Sequence, residues 1–120
     1  MIGRLIVEDD ETSQLYIEMV LKNDYDTFVA ASSSEAIEVL YQQAVDLVLM
    51  DISLRGSMNG LELTRWIRSS TKHSEIPIIA VTAHAFEADR GMALEAGCNQ
   101  FIAKPFKSAE LLRAIQQVLF

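Results

Sequence analysis

The chain alternates five times between a short, mostly apolar run and a longer segment with helical periodicity. Apolar runs of four or five residues are typical of strands that are buried in a parallel sheet. The predicted strands are 4–7, 27–30, 47–50, 77–81 and 100–103, and the predicted helices are about 11–22, 32–43, 61–70, 86–96 and 108–119. Right-handed crossovers then place helices on both faces of the sheet, and we expect successive helices to alternate between the faces. The pattern predicts a doubly wound α/β domain.

Composition narrows the classes of function. The 120 residues suit one domain, predicted to span residues 1–120 with no room for an output domain, and half of them are hydrophobic. A net charge of −7 argues against nucleic-acid binding, which needs clustered lysine and arginine. No apolar run approaches the roughly 20 residues of a membrane span, no signal peptide precedes the first strand, and the single Cys98 forms no internal disulfide. We therefore expect a cytoplasmic protein that binds neither membrane nor nucleic acid.

Polar side chains stand at the ends of four of the five predicted strands. Glu8 and Asp9 follow the first strand, Asp51 follows the third, Thr82 ends the fourth and Lys104 follows the fifth. Ligands of an open parallel sheet bind beyond the carboxyl ends of its strands, so these side chains share one edge. Each of them alone has an ordinary explanation as a turn former, a strand former or a surface lysine. Their occurrence together, in order, makes the pattern specific.

These residue types suit the chemistry of phosphoryl transfer. Three neighbouring carboxylates repel each other when ionised, and a hard divalent cation relieves that repulsion. Mg2+ takes oxygen ligands, typically one or two carboxylates together with water. Lys104 adds positive charge and Thr82 adds a hydroxyl donor. Together they can neutralise a transferred phosphoryl group while Asp51 attacks the phosphorus in line.

Four short motifs carry a resemblance to a known family: Val7–Asp10, Met50–Ile52, Val81–Ala83 and Lys104–Phe106. Together they resemble the signature of response-regulator receiver domains of two-component signalling, over essentially the whole chain. The resemblance implies a flavodoxin-like (βα)5 fold with five parallel strands in the order 2-1-3-4-5. It also implies a signalling phosphoacceptor rather than an enzyme, with a histidine kinase or a histidine phosphotransfer protein as the phosphodonor.

The resemblance assigns a phosphoacceptor and a metal site. Asp51 would accept the phosphoryl group from a phosphohistidine. Asp9 and Asp51 would bind Mg2+, or Mn2+, directly, with help from the backbone carbonyl of Ser53. Glu8 would act on the metal largely through water.

The resemblance also implies a switch. Thr82 and Lys104 would contact the phosphoryl group, and Thr82 with Phe101 would pass the change to a downstream protein partner. That partner would bind the face formed by the fourth helix, the fifth strand and the fifth helix. The bond between Lys104 and Pro105 is expected to be cis, a form that is uncommon even before proline.

Two departures from the family pattern affect these expectations. The loop at residues 54–59 is one residue longer than the commonest form, and Arg55 stands in the region of the usual proline. Phe101 replaces a frequent tyrosine and lacks its hydroxyl, so simple core packing explains this residue equally well. The geometry of the loop and the form of the switch are left open by the sequence.

Two other classes of protein stay open at this point. The first is a hydrolase with an aspartyl-phosphate intermediate, as in haloacid-dehalogenase-like phosphatases. Those enzymes use a second aspartate two residues after the nucleophile, where this chain has Ser53. The second is a pseudo-receiver, a binding module that is never phosphorylated, and the presence of every needed residue argues against it.

Overall fold

A computed structural model describes residues 2–21 and 25–119, and within them five strands alternate with five helices. The strands are β1 (Ile2–Val7), β2 (Tyr25–Ala30), β3 (Leu47–Met50), β4 (Ile78–Thr82) and β5 (Gln100–Ala103). The helices are α1 (Glu11–Leu21), α2 (Ser33–Gln42), α3 (Gly60–Ser69), α4 (Glu87–Ala96) and α5 (Ser108–Leu119).

Every predicted element is present, and its bounds differ from the prediction by a few residues at most. β1 and β2 each begin two residues earlier, because Ile2 and Gly3 pair with Tyr25 and Asp26 in the parallel register. A polar residue such as Asp26 is tolerated because β2 is an edge strand, as predicted. The predicted end of α1, at residue 22, lies outside the described residues.

The five parallel strands lie in the order β2-β1-β3-β4-β5, which the family resemblance implied. From β1 the chain steps outward to β2, then returns past β1 to β3 and continues through β4 to β5. The direction of winding therefore reverses between β1 and β3. The carboxyl ends of these two strands flank the crevice in which doubly wound folds bind their ligands.

Side chains along the central strands alternate between two cores, one on each face of the sheet. Leu5 and Val7 pack with residues of α2, α3 and α4, whereas Ile6 packs with residues of α1 and α5. The expectation that successive helices alternate between the faces is therefore wrong. A right-handed crossover assigns the helix to a face according to the direction of the strand step. The connections through α2, α3 and α4 step in one direction, and the connection through α1 steps in the other.

Several apolar side chains of the helices face solvent. The periodicity of α5 predicts that Leu112 faces inward together with Leu111, but Leu112 is 47% exposed. The reason is that successive helical residues lie about 100° apart, so burial of Leu111 turns its neighbour outward. Leu15 and Met19 of α1 are exposed as well, as is Phe86 just before α4. The surface therefore carries apolar side chains that the cores do not use.

Local interactions fix where α3 begins, directly after the loop that follows β3. Asn59 Oδ1 accepts from the Glu62 backbone N–H, and Glu62 Oε1 accepts from the Asn59 backbone N–H, both at 2.9 Å. This capping box satisfies two backbone donors at the start of the helix. At Gly60 an added Cβ would lie 2.5 Å from the Ile52 Cα, so only glycine fits. The start of α3 is thus packed against the main chain beside Asp51.

Candidate phosphorylation and metal site

Main-chain hydrogen bonds continue one residue beyond the strands and hold the polar residues at the sheet edge. The bonds, written donor first, are Glu8 N to Ala30 O at 2.9 Å, Asp51 N to Val7 O at 3.0 Å and Lys104 N to Thr82 O at 2.8 Å. Each bond fixes the backbone from which a polar side chain projects. The site therefore rests on the sheet rather than on flexible loops.

The four consecutive acids after β1 divide into different roles. Glu8 is buried and Asp9 is half-buried, and both lie at the crevice. Asp10 caps α1, because its Oδ2 accepts from the Ser13 backbone N–H at 2.9 Å, and this bond lowers the pKa of Asp10. Glu11 is exposed in the first turn of α1, where a negative charge suits the helix dipole. The first two acids are thus available to a ligand.

Glu8, Asp9 and Asp51 form a carboxylate cluster within the described part of the chain. One oxygen from each of them lies within 4.8 Å of the oxygens of the other two. Hard cations such as Mg2+ and Mn2+ prefer oxygen ligands of this kind. The donor set and its spacing therefore fit a single divalent cation, as the sequence predicts.

Lys104 reaches across the crevice to the buried members of this cluster. Its Nζ donates to Glu8 Oε1 and lies 3.5 Å from Asp51 Oδ2 and 3.2 Å from Ser13 Oγ. Burial alone lowers the pKa of a lysine, but the contacts with Glu8 and Asp51 outweigh it and raise the pKa of Lys104. Lys104 is therefore a fixed positive charge beside Asp51.

The environment separates the pKa values of the two innermost carboxylates. Glu8 is 2% exposed, and burial, together with the nearby Asp51, raises the pKa of Glu8 to about 7 against the opposing effect of Lys104. Burial acts on Asp51 in the same direction, but hydrogen bonds with Glu8 and Ser53 and the charge of Lys104 outweigh it and lower the pKa of Asp51. Asp51 is therefore ionised at neutral pH, and Glu8 takes up a proton before it.

The remaining predicted residues take different positions. Ser53 donates to Asp51 Oδ1 from both its backbone N–H, at 2.9 Å, and its hydroxyl, at 2.7 Å. Thr82 is fully buried, and its Oγ1 accepts from the His84 backbone N–H at 3.1 Å. Phe101 is half-buried and packs on the core beneath α2, α3 and α4. The bond between Lys104 and Pro105 is cis, as expected.

Arg55 contacts the site, although the sequence suggested no role for it. Its backbone N–H and its Nε both donate to Asp9 Oδ2, at 3.2 and 3.1 Å. One feature of the sequence could have indicated this contact. Arg55 is a cation in the loop after β3, and that loop adjoins the acids that follow β1. The sequence does predict that four adjacent acids attract additional positive charge, and Arg55 supplies it together with Lys104.

A cleft of about 490 Å3 opens beside Lys104, between α1 and the segment that follows β5. Its walls are mainly apolar and include Tyr16, Ile17, Ala83, Pro105 and Phe106. Tyr16 ties the two sides together, because its hydroxyl donates to the Phe106 carbonyl at 3.0 Å and the two rings lie 5.3 Å apart. The approach to the crevice is therefore partly apolar.

Glu8→Gln is expected to stabilise the metal-free protein increasingly as the pH rises from 5 to 8. The ordinary pKa of a glutamate is 4.5, and burial raises the pKa of Glu8 to about 7, so the folded state holds an extra proton between these values. The stability linked to that proton is complete below pH 4.5 and is lost as the pH rises through 7. The glutamine variant does not titrate, so its advantage in unfolding free energy should grow by about 1–3 kcal/mol.

Urea unfolding of both proteins at several pH values, in the presence of a chelator, measures this difference. Glu11→Gln is the matched control, because it makes the same substitution at an exposed position. An advantage that grows no more with pH for Glu8→Gln than for Glu11→Gln would mean that Lys104 keeps Glu8 ionised throughout this range.

Comparison with known proteins points to one family. The model of the response regulator receiver domain matches residues 5–116. The polar-differentiation response regulator DivK of Brucella ovis is 34% identical over 116 residues, which cover 96% of this chain and 94% of that protein. Within the described ranges, no helix has the length and apolar character needed to cross a membrane.

Solved structures agree with this family. A receiver domain of a sensor histidine kinase from Pseudomonas aeruginosa, with a magnesium ion coordinated in its active-site cleft, is 39% identical with a TM-score of 0.86, covering 96% of this chain and 94% of that one. A signal receiver domain of a histidine kinase from Syntrophus aciditrophicus is 30% identical with a TM-score of 0.88, covering 99% and 90%. The family match runs from β1 into α5 and includes the whole carboxylate cluster and Lys104, so the chain belongs to the response-regulator receiver domain family.

Proposed function

We propose that this domain accepts a phosphoryl group on Asp51, in the presence of Mg2+ or Mn2+, and thereby changes its affinity for a protein partner. The observation that carries the proposal is the environment of the Asp51 carboxylate. It is buried and ionised, Ser53 holds one of its oxygens, Lys104 lies beside the other, and Glu8 and Asp9 complete a cation site. Such a site suits a negatively charged phosphoryl group better than an uncharged organic substrate.

The metal ligands in this proposal are Asp9, Asp51 and the backbone carbonyl of Ser53, with Glu8 acting largely through water. The magnesium ion in the related Pseudomonas aeruginosa receiver domain supports this assignment. A divalent cation bound here would supply positive charge that neutralises the phosphoryl oxygens. Asp9 is the most exposed of the three carboxylates and the one that Lys104 does not engage, and its partner is Arg55 instead.

We assign the attack to Asp51 Oδ2, because Oδ1 already accepts two hydrogen bonds from Ser53. The new bond joins Oδ2 to phosphorus, the phosphorus–nitrogen bond of a phosphohistidine breaks, and its electron pair stays on the imidazole. Lys104 lies 3.5 Å from Oδ2 and is placed to pair with the incoming oxygens. The product is an aspartyl phosphate, and the domain promotes only its own phosphorylation and dephosphorylation.

The phosphodonor in this proposal is a histidine kinase or a histidine phosphotransfer protein. The apolar cleft between α1 and the segment after β5 adjoins Lys104, so a donor that presents its histidine to Asp51 has to cover it. Leu15 and Met19 extend the apolar surface of α1 in solvent. These apolar features favour a protein over nucleic acid as the partner at this cleft.

In this proposal, phosphorylation moves Thr82, and this movement is passed on to Phe101 and α4. The Thr82 hydroxyl bonds to the backbone of its own loop, so contact with a phosphoryl group requires it to turn toward Asp51. In this proposal Phe101, which is only half-buried, changes its position in response. Exposed Phe86 and Met92 make α4 an apolar surface that a downstream partner can bind together with β5 and α5.

Incubation with acetyl phosphate and Mg2+ is expected to add one phosphoryl group to the protein and none to Asp51→Asn. The acceptor carboxylate is missing in this variant, although its shape is kept. Asp9→Ala should slow labelling at least tenfold by weakening the cation site. Intact-mass spectrometry over time measures both effects. Asp10→Ala is a matched control, because Asp10 caps α1 and lies outside the proposed ligand set.

Full labelling of Asp51→Asn at another residue would contradict the assignment of the acceptor. An unlabelled wild type that binds Mg2+ normally would favour a pseudo-receiver. Rapid turnover of acetyl phosphate without accumulation of the labelled protein would favour a hydrolase.

Gly91→Ala is expected to slow hydrogen exchange in residues 83–97 before phosphorylation and to shrink the change that phosphorylation causes there. Gly91 lies in the middle of α4, and an added Cβ meets nothing within 4 Å, so alanine fits. Alanine stabilises a helix by about 0.5–1 kcal/mol relative to glycine. Hydrogen exchange of the free and phosphorylated proteins measures the effect, with the central strands as the internal reference. Equal protection of α4 and β3 in the free wild type would exclude α4 as the moving element.

A further inference from the structure

The cations that neutralise the carboxylate cluster are of two different kinds. Lys104 projects from the end of β5, is largely buried, and pairs with Glu8 and Asp51. Arg55 lies in the loop between β3 and α3 and pairs with Asp9, and its side chain is 87% exposed. Lys104 is thus part of the site's interior, whereas Arg55 covers it from solvent.

Arg55 is paired with a carboxylate that a metal ion would need as a ligand. Its Nε lies 3.1 Å from Asp9 Oδ2, and Asp9 is one of the three residues whose oxygens converge. A divalent cation and a guanidinium compete for the same carboxylate, and their like charges repel when both lie beside it. An exposed ion pair is weak, and its guanidinium can return to water at little cost. The ion pair between Arg55 and Asp9 therefore weakens cation binding, and a bound cation can displace the guanidinium.

We propose that Arg55 is an internal counter-ion of Asp9 that a divalent cation displaces when it binds. The guanidinium weakens cation binding and so sets the metal concentration at which the site fills. The consequence for phosphorylation rests on the proposed function, but the competition itself concerns the metal site alone. Arg55 is thus a positioning and regulating residue, since it acts through Asp9.

The contacts of the loop between β3 and α3 indicate that the Arg55 side chain is not needed to hold the loop in place. The Arg55 backbone N–H also donates to Asp9 Oδ2, and every substitution other than proline keeps that donor. The loop has further anchors, because Leu54 is buried and its N–H donates to the Asp51 carbonyl at 3.2 Å. Removal of the side chain therefore frees Asp9 from the guanidinium without releasing the loop.

The test is calorimetric titration of the unphosphorylated protein with Mg2+, repeated with Mn2+ detected by electron paramagnetic resonance. Arg55→Ala should lower the Kd for Mg2+ by about three- to tenfold at low salt. Arg55→Lys keeps the charge on a more flexible side chain, and its Kd should lie between those of the other two proteins. The gain of Arg55→Ala should shrink toward unity at 0.5 M salt, where the Debye length falls to about 4 Å.

Arg113→Ala is the matched control, because it removes one arginine charge from α5, which contributes no carboxylate to the cluster. Its Kd should change by less than that of Arg55→Ala, since none of the ion pairs among the described residues joins Arg113 to the cluster. Thermal unfolding of each variant establishes that it is folded.

Three outcomes would overturn the proposal. Equal gains in Arg55→Ala and Arg113→Ala would mean that only net charge matters. Weaker cation binding by Arg55→Ala would mean that the side chain prepares the site rather than competing for it. Absence of cation binding in the wild type and in every variant would remove the metal site, and with it the proposed phosphorylation, whereas the first two outcomes leave the proposed function intact.

Discussion

Electrostatic repulsion among three carboxylates is the constraint on which the site depends. The strand order brings the ends of β1 and β3 together, so Glu8, Asp9 and Asp51 converge whatever their charges. A fold that buries such a cluster has to supply cations or protons, because unpaired buried charge is costly. Here Lys104 and Arg55 supply the cations, and the raised pKa of Glu8 lets that carboxyl hold a proton. This compensation leaves Asp51 ionised, as the proposed attack on phosphorus requires.

The same compensation explains why the site can respond to a ligand. Under the proposed function, a divalent cation or a phosphoryl group can displace the side-chain contacts that Lys104 and Arg55 make with the cluster. Lys104 can exchange Glu8 for phosphoryl oxygens, and Arg55 can leave Asp9 for solvent. The Thr82 hydroxyl likewise has a partner in its own loop that it can give up. Phosphorylation would thus redistribute existing charges rather than create a site.

The sequence predicts the five βα units and the convergence of Glu8, Asp9, Asp51 and Lys104, because both follow from where strands end. Apolar runs locate the strands, and the first polar residue after each run locates the crevice, as for Asp51. The sequence does not predict which groups pair inside the crevice. Lys104 contacts Glu8 as well as Asp51, and Arg55 reaches Asp9 from a loop of unusual length, because side-chain rotamers and loop geometry decide these contacts. The grouping of the helices by face was missed because it was argued from the local βα pattern, whereas it depends on the strand order, which only the family resemblance implied.

A crystal structure of the protein with Mg2+ and beryllofluoride, a mimic of the phosphoryl group, tests the charge exchange most directly. We expect beryllofluoride to be bound to Asp51 Oδ2 and the cation to lie among Asp9, Asp51 and the Ser53 carbonyl. Lys104 should contact a fluoride and no longer contact Glu8, and the Arg55 guanidinium should have moved away from Asp9. A structure in which the mimic and the cation are bound while Lys104 stays on Glu8 and Arg55 stays on Asp9 would contradict it.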